Sequence, residues 1–363
     1  MTQSRYALLL CGGLFVPSVA ASGLGFWEWS ASATALANAN GAAATDATVA
    51  SQLPAAMQGL GESQVLASVV NYQVTTDYEL PLMPELGYQT TDPIPSMFAV
   101  HRQDQWSFGL GIHSRTAADI QVPQIRYLGQ AEARLKPIVV SVAPSLSHSW
   151  GAWSLGVGGE WLVADYQLTS GDCHWLLGCR GWEQSGRLSG SSFNLSGHWR
   201  GDQHRVGVLW RAPTQFGNEE IDLDLPSMTV LSHSYQLRNQ WQTHLSISHT
   251  AWEDRGVRFR DYADLFGLLV GHNHSWRVAL GADYRWREWE LRMGYSQEQA
   301  VDRLGGWDSR WRLGLGRTLL GRWQWDGSLM YERYAEKQQQ VDPFTVAIEN
   351  QGLAVSTSLS YRF

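Results

Sequence analysis

Serine, histidine and cysteine are the residues of this 363-residue chain whose chemistry could be more than structural. His148, His233, His244 and His249 lie in serine-rich stretches, a composition compatible with a lipid hydrolase. Nucleophilic catalysis needs a serine, a base and an orienting group within hydrogen-bond reach. The Gly-x-Ser-x-Gly elbow that would expose such a serine is absent, as are a phosphate-binding loop, a dinucleotide fingerprint and His-Glu-x-x-His. Cys173, His174 and Cys179 offer only three ligands, at unusual spacing for a metal. The default for Cys173 and Cys179 is a disulfide, given a secreted context. The chain is therefore read as a non-enzyme, with no catalytic residue, metal or cofactor.

That secreted context comes from residues 1–21. Arg5 supplies a short basic region, Ala7 to Val16 an apolar one, and Ser18-Val19-Ala20 or Val19-Ala20-Ala21 a small-x-small cleavage site. Charged residues make up only 17 %, below the usual quarter, and aromatics 12 %, which excludes a disordered chain. The net charge of −7 argues against nucleic acid as a partner. No run of 18 apolar residues exists, so a bundle of membrane-crossing helices is excluded.

The elements that must position any site are strands. In 352–363, Leu353, Val355, Thr357, Leu359, Tyr361 and Phe363 alternate with Ala354, Ser356, Ser358, Ser360 and Arg362. Period two means a strand with one apolar face. Fourteen such strands are expected between residues 62 and 363. Short turns, at Asp104, Gly151, Gly201-Asp202, Asn239-Gln240, Arg287-Glu288 and Leu320-Gly321, alternate with longer loops. In lipid every backbone polar group must be paired, so strands span only as a closed barrel. Trp106, Trp153, Trp199, Trp241, Trp286, Trp289 and Trp323 sit beside the short turns, where an interfacial girdle belongs. The expected architecture is all-β: a membrane-spanning antiparallel up-and-down barrel in the outer membrane of a Gram-negative bacterium, surrounded by lipid and lipopolysaccharide. A soluble sandwich would not turn so many Trp and Leu side chains outward.

Residues 22–61 differ. Ser30 to Ala44 is small and uncharged, suited either to a tail or to a plug inside the lumen. Ser22-Gly23-Leu24-Gly25-Phe26, the stretch Ala37 to Thr48, and Gln52-Leu53-Pro54-Ala55-Ala56-Met57 resemble the FadL/TodX family of outer-membrane transporters for long-chain fatty acids and other hydrophobic compounds. The last stretch resembles the family's Asn-Pro-Ala-Gly hatch motif, with Leu53 in place of Asn and Ala56 in place of Gly. The resemblance implies a hatch (22–61) inside the barrel (62–363), a monomer, and passive uptake of a hydrophobic small molecule.

It also implies roles. Phe26, Trp27 and Trp29, with Leu53, Pro54 and Ala55, would form the hatch side of a ligand pocket. Gly109 and Gly111 would mark a lateral opening at the third strand. Leu265, Phe266, Leu268 and Leu269 would belong to an external capture loop. Inward-facing Arg277, Arg285, Arg292 and Arg312 could pair a ligand carboxylate, or neighbouring acids such as Asp283 and Glu290. The alternatives are a general diffusion porin and the lipid hydrolase.

Overall fold

The computed structural model describes residues 25–79, 86–117, 119–122, 132–174, 178–217, 221–253, 255–259, 273–302, 304–319, 321–341 and 344–363. The leader at 1–21 and the capture-loop residues Leu265, Phe266, Leu268 and Leu269 lie outside them.

The alternating segments form fourteen long strands in one closed antiparallel barrel. In chain order they are β1 (Gln64–Glu79), β2 (Leu86–Gln103), β3 (Trp106–Ala117), β4 (Ala133–Trp150), β5 (Trp153–His174), β6 (Gly178–Arg200) and β7 (His204–Arg211). Then come β8 (Met228–Arg238), β9 (Trp241–Thr250), β10 (Ser275–Trp286), β11 (Trp289–Gln299), β12 (Trp307–Leu319), β13 (Trp323–Arg333) and β14 (Phe344–Arg362). Each pairs with its chain neighbours, and β1 closes on β14 from Gln64↔Arg362 to Glu79↔Ala347. Closure leaves the sheet without a terminal edge strand, which lipid would not tolerate.

Side chains sort by period as the sequence requires. Leu155, Val157 and Trp161 on β5, Val278 and Leu280 on β10, and Leu313 on β12 are exposed on the outer wall. Ser154, Glu160, Ala279, Asp283 and Arg312 face inward and are buried. Trp106, Trp153, Trp241, Trp286 and Trp323 ring the short-turn end on the outside. Left-handed residues tighten several of those turns: Asp104, Gly151, Arg287 and Gly321 all have φ between 53° and 71°.

The barrel is taller on one flank. The β5–β6 ladder runs from Trp153↔Trp199 to His174↔Gly178, about twice the 9–11 residues that cross a bilayer. Cys173 and Cys179 oppose each other in that register near its tip, and Cys179 is disulfide-bonded. On the low flank, β7 stops at Arg211 because Pro213, which has no N–H to donate, ends the ladder. The chain then folds inward as Thr214–Gly217 and Ile221–Leu225, which join Val257–Phe259 in a three-stranded sheet roofing the lumen.

Residues 25–61 fill the lumen. They form two short helices, α1 (Ala31–Ala35) and α2 (Val49–Gln52), and 3-10 turns at Gly41–Ala43 and Pro54–Leu60. Ser30 caps α1 by accepting from the Ala33 N–H. Small residues let this plug lie directly on the wall: a side chain at Gly281 would come within 2.8 Å of the Leu36 carbonyl, and one at Gly109 within 2.8 Å of the Ala50 methyl.

Candidate functional site

One buried carboxylate ties the hatch together. Asp46 accepts from the hydroxyls of Ser30 (2.7 Å), Ser32 (2.5 Å) and Thr48 (2.5 Å) and from the Thr48 N–H (2.9 Å). The hatch also docks on the wall by hydrogen bonds: Ser196 receives the Ala55 N–H at 3.0 Å, and Arg211 Nη2 donates to the Ser51 carbonyl at 3.0 Å. Leu53 packs over Gly207, where a wall side chain would collide with it.

The wall itself is unzipped at one place. The β2–β3 ladder runs from Gln103↔Trp106 only to Met97↔Ile112. Beyond that pair, β2 continues with β1 as far as Tyr78↔Leu86, and β3 continues with β4 as far as Ala117↔Ile138. The freed stretch of β2 contains Pro93 and Pro95, neither of which can donate a ladder hydrogen bond. The freed stretch of β3 carries a bulge between Ser114 and Thr116.

The start of the hatch occupies this seam. Phe26 donates its N–H to the Arg115 carbonyl (3.1 Å), and Trp29 Nε1 donates to the Ser114 carbonyl (3.1 Å). Across the seam, the Ser96 hydroxyl of β2 donates to the Trp29 carbonyl (2.5 Å). Trp29 lies 4.3 Å, ring to ring, from buried His113, which stacks on Phe98 of β2. Gly109 and Gly111 stand in the paired part of β3, opposite Val100 and Phe98; they seat α2, and the seam begins just past them.

Above the seam lies a small, partly open cavity of about 40 Å³. Phe26, Trp27 and Trp29 form its floor, and Leu225, Pro226 and Trp252 close it from the roof. Arg115, Arg211 and Glu298 also line it. Trp27 lies under the Arg277 guanidinium, 4.5 Å from the ring centroid.

Buried charges flank the cavity on two walls. On β10–β13, Arg312 Nη2 donates to Glu28 of the hatch (2.9 Å). Arg310 meets Glu298 (2.5 Å) and Glu332 (2.6 Å), and Arg277 donates to the Ala37 carbonyl (2.7 Å). Burial pushes the Glu28 carboxyl up, but Arg312, Arg310 and Arg277 pull harder, and the net shift is below the ordinary 4.5. On β3–β7, Arg115 and Arg211 share Glu160, with Arg211 Nε at 2.6 Å.

The arginines singled out by alternation are thus mostly engaged. Arg277 and Arg312 hold the hatch, and Arg292 bonds Asp326 (2.6 Å) and Glu290. Arg285 leaves the lumen at the short-turn end, 61 % exposed beside Glu290. Pro54 opens a 3-10 turn against β5. Sequence reasoning missed Arg115, Arg211 and Glu160. Their inward phase was readable, but a pairing across three strands leaves no local spacing.

Ser234, His244 and Asp283 come together on β8, β9 and β10. His244 Nδ1 lies 2.9 Å from the Ser234 hydroxyl and Nε2 lies 2.8 Å from Asp283. Ser234 has no exposed surface, and His244 faces Gly281, over which the hatch lies. A nucleophile needs access to its substrate; this trio links three strands beneath the plug.

A closed fourteen-strand barrel with an apolar outer wall, a small-residue plug and a cavity above it defines a plugged, membrane-spanning β-barrel. A family model described as outer membrane protein transport protein (OMPP1/FadL/TodX) matches residues 188–303. Among solved structures, the chain is similar to a Pseudomonas aeruginosa FadL homologue at 15 % identity and a TM-score of 0.76, covering 94 % of this chain and 100 % of that one. It is similar to the P. putida toluene transporter TodX at 13 % identity and a TM-score of 0.73, covering 94 % and 99 %. It is also similar to the Ralstonia pickettii toluene transporter TbuX at 15 % identity and a TM-score of 0.70, again covering 94 % and 99 %. No curated protein matches the sequence. The chain has the fold of the FadL/TodX barrels, and about a third of it matches their family model, in line with the resemblance read from the hatch residues and the strand pattern.

Proposed function

We propose that the protein takes up hydrophobic solutes passively. A solute enters the cavity between the roof and Phe26, Trp27 and Trp29, gaining roughly 25 cal/mol per Å² of apolar surface removed from water. It leaves sideways, through the β2–β3 seam, when the Phe26–Trp29 segment moves off the wall. Lateral exit keeps an apolar molecule out of water on its way into the membrane.

The observation that carries this reading is the seam: two wall strands stop pairing beside the cavity, and hatch residues take the hydrogen bonds in between. The structural relatives are described as a FadL homologue and toluene transporters, in agreement with a hydrophobic solute.

Proteoliposomes test it. Uptake of a labelled hydrophobic solute with low ion conductance is the expected result for the full chain. Free ion conductance at rest would instead mark a diffusion porin, and release of fatty acid from the liposome lipid a hydrolase.

A further inference from the structure

We propose that the outer wall carries a binding site for an anionic phospholipid of the surrounding membrane, built on Arg317 between two tryptophans at the short-turn end of β11–β13. The site lies outside the lumen and does not depend on what the barrel carries.

Arg317 points away from the lumen. On β12, Trp311, Leu313, Arg317 and Leu319 stand on the exposed face, while Arg312 and Gly316 are buried inside. The arginine thus shares the face of Leu313, which meets lipid. Four residues of strand separate the two, roughly 10 Å along the membrane normal for a tilted strand, so the guanidinium stands near the edge of an apolar band about 25 Å tall. Hydrocarbon offers it no acceptor, whereas the head-group layer that begins at this level is rich in phosphate.

Its neighbours frame this charge without neutralising it. Arg317 pairs across the sheet with Trp289 on β11 and with Trp325 on β13. The guanidinium lies 4.8 Å from the Trp289 ring centroid. Trp325 is fixed by its Nε1–H, which donates to the Thr357 hydroxyl (3.0 Å). The ion-pair partner of Arg317, Glu288, stands 3.6 Å away, beyond hydrogen-bond reach, with the two side chains 44 % and 69 % exposed. An exposed pair of this kind contributes little. Among the described residues the guanidinium has no hydrogen-bond acceptor. A planar fork resting on an indole and open at its edge matches two oxygens of a phosphodiester. Leu319 and Trp323, exposed on the same wall, suit the apolar part of a lipid. The surroundings favour a head group of net negative charge. Residues 284–290, 317–324 and 361–363 hold five arginines and two glutamates, a positive surplus even when a carboxylate at Phe363 is counted, in a chain of net charge −7. A zwitterionic lipid brings its own cation to that surplus; an anionic one does not.

Native mass spectrometry of the full chain in detergent tests this, with dioleoylphosphatidylglycerol and dioleoylphosphatidylcholine as the probes. The two share their acyl chains and the phosphodiester and differ in net charge. One guanidinium at the head-group level predicts that the first phosphatidylglycerol binds at least about fivefold more tightly than the first phosphatidylcholine. In R317Q that ratio is expected to fall to about one. R238Q, altered at an exposed arginine of the β8–β9 turn, is expected to keep it. Equal affinities for the two lipids in the unaltered protein overturn the proposal, and this comparison stands even if R317Q does not assemble. A preference that survives in a folded R317Q, or one that R238Q abolishes equally, also overturns it, since the charge of the whole rim would then select the lipid.

Discussion

Asp46 shows how much one residue can decide in a plug made mostly of alanine. Its carboxylate receives four donors from both halves of the hatch, all out of reach of water. Replacing it by alanine strands those donors, at an expected cost of about 2–4 kcal/mol to hatch stability. The barrel should still form, and planar-bilayer recordings of D46A should show an ion leak that the unaltered protein lacks. Glu28 gives a pH-dependent counterpart. Its folded pKa lies below 4.5, so its hold on Arg312 is present above pH 4.5 and is lost as pH falls through the lower, folded value. Conductance is expected to stay flat down to about pH 4.5 and to rise below it; E28Q should leak already at neutral pH and lack the acid step. A flat profile in both proteins would show that Glu28 does not hold the hatch. Neither role was legible in the sequence. Glu28 and Asp46 stood out only as the two charges in a neutral segment, and the arginine that Glu28 holds, Arg312, lies 284 residues away.

At the scale of elements, the seam depends on two strands that refuse each other. Pro93 and Pro95 deny β2 two donors, and the bulge at Ser114–Thr116 puts β3 out of step. Restoring the donors in P93V/P95V should let the ladder extend, each new hydrogen bond adding about 0.5–1.5 kcal/mol. The variant is expected to resist heat on a gel at least as well as the unaltered protein, yet to carry less labelled solute into proteoliposomes. Undiminished uptake would remove the seam from the route. The fourteen strands were legible because period two survives in any single strand: Trp106, Phe108, Leu110 and Ile112 point outward in sequence and in structure alike. The seam was not, because a missing ladder is a relation between strands. The roof was hidden too, since Phe216, Leu223 and Leu225 look like ordinary loop residues until Pro213 turns them inward.

For the molecule as a whole, lipid is the solvent of one face. Leu313 is 62 % exposed there and stands mid-strand on β12. L313R should cost about 2–4 kcal/mol in reversible urea unfolding from liposomes, the range for a charge near the bilayer midplane. An equal stability would mean that this face does not meet hydrocarbon. The overall architecture was the most legible level of all, because tryptophan at the short turns and alternation between them report the two interfaces directly.

The enclosed plug also ties together distant parts of the wall. Helix α1 rests on β12, β13 and β14, whereas α2 rests on β3 and β4. Strands from the beginning and the end of the chain thus lean on one small scaffold, so that a single short segment braces the barrel on both sides of its closing seam like a spoke between opposite rims.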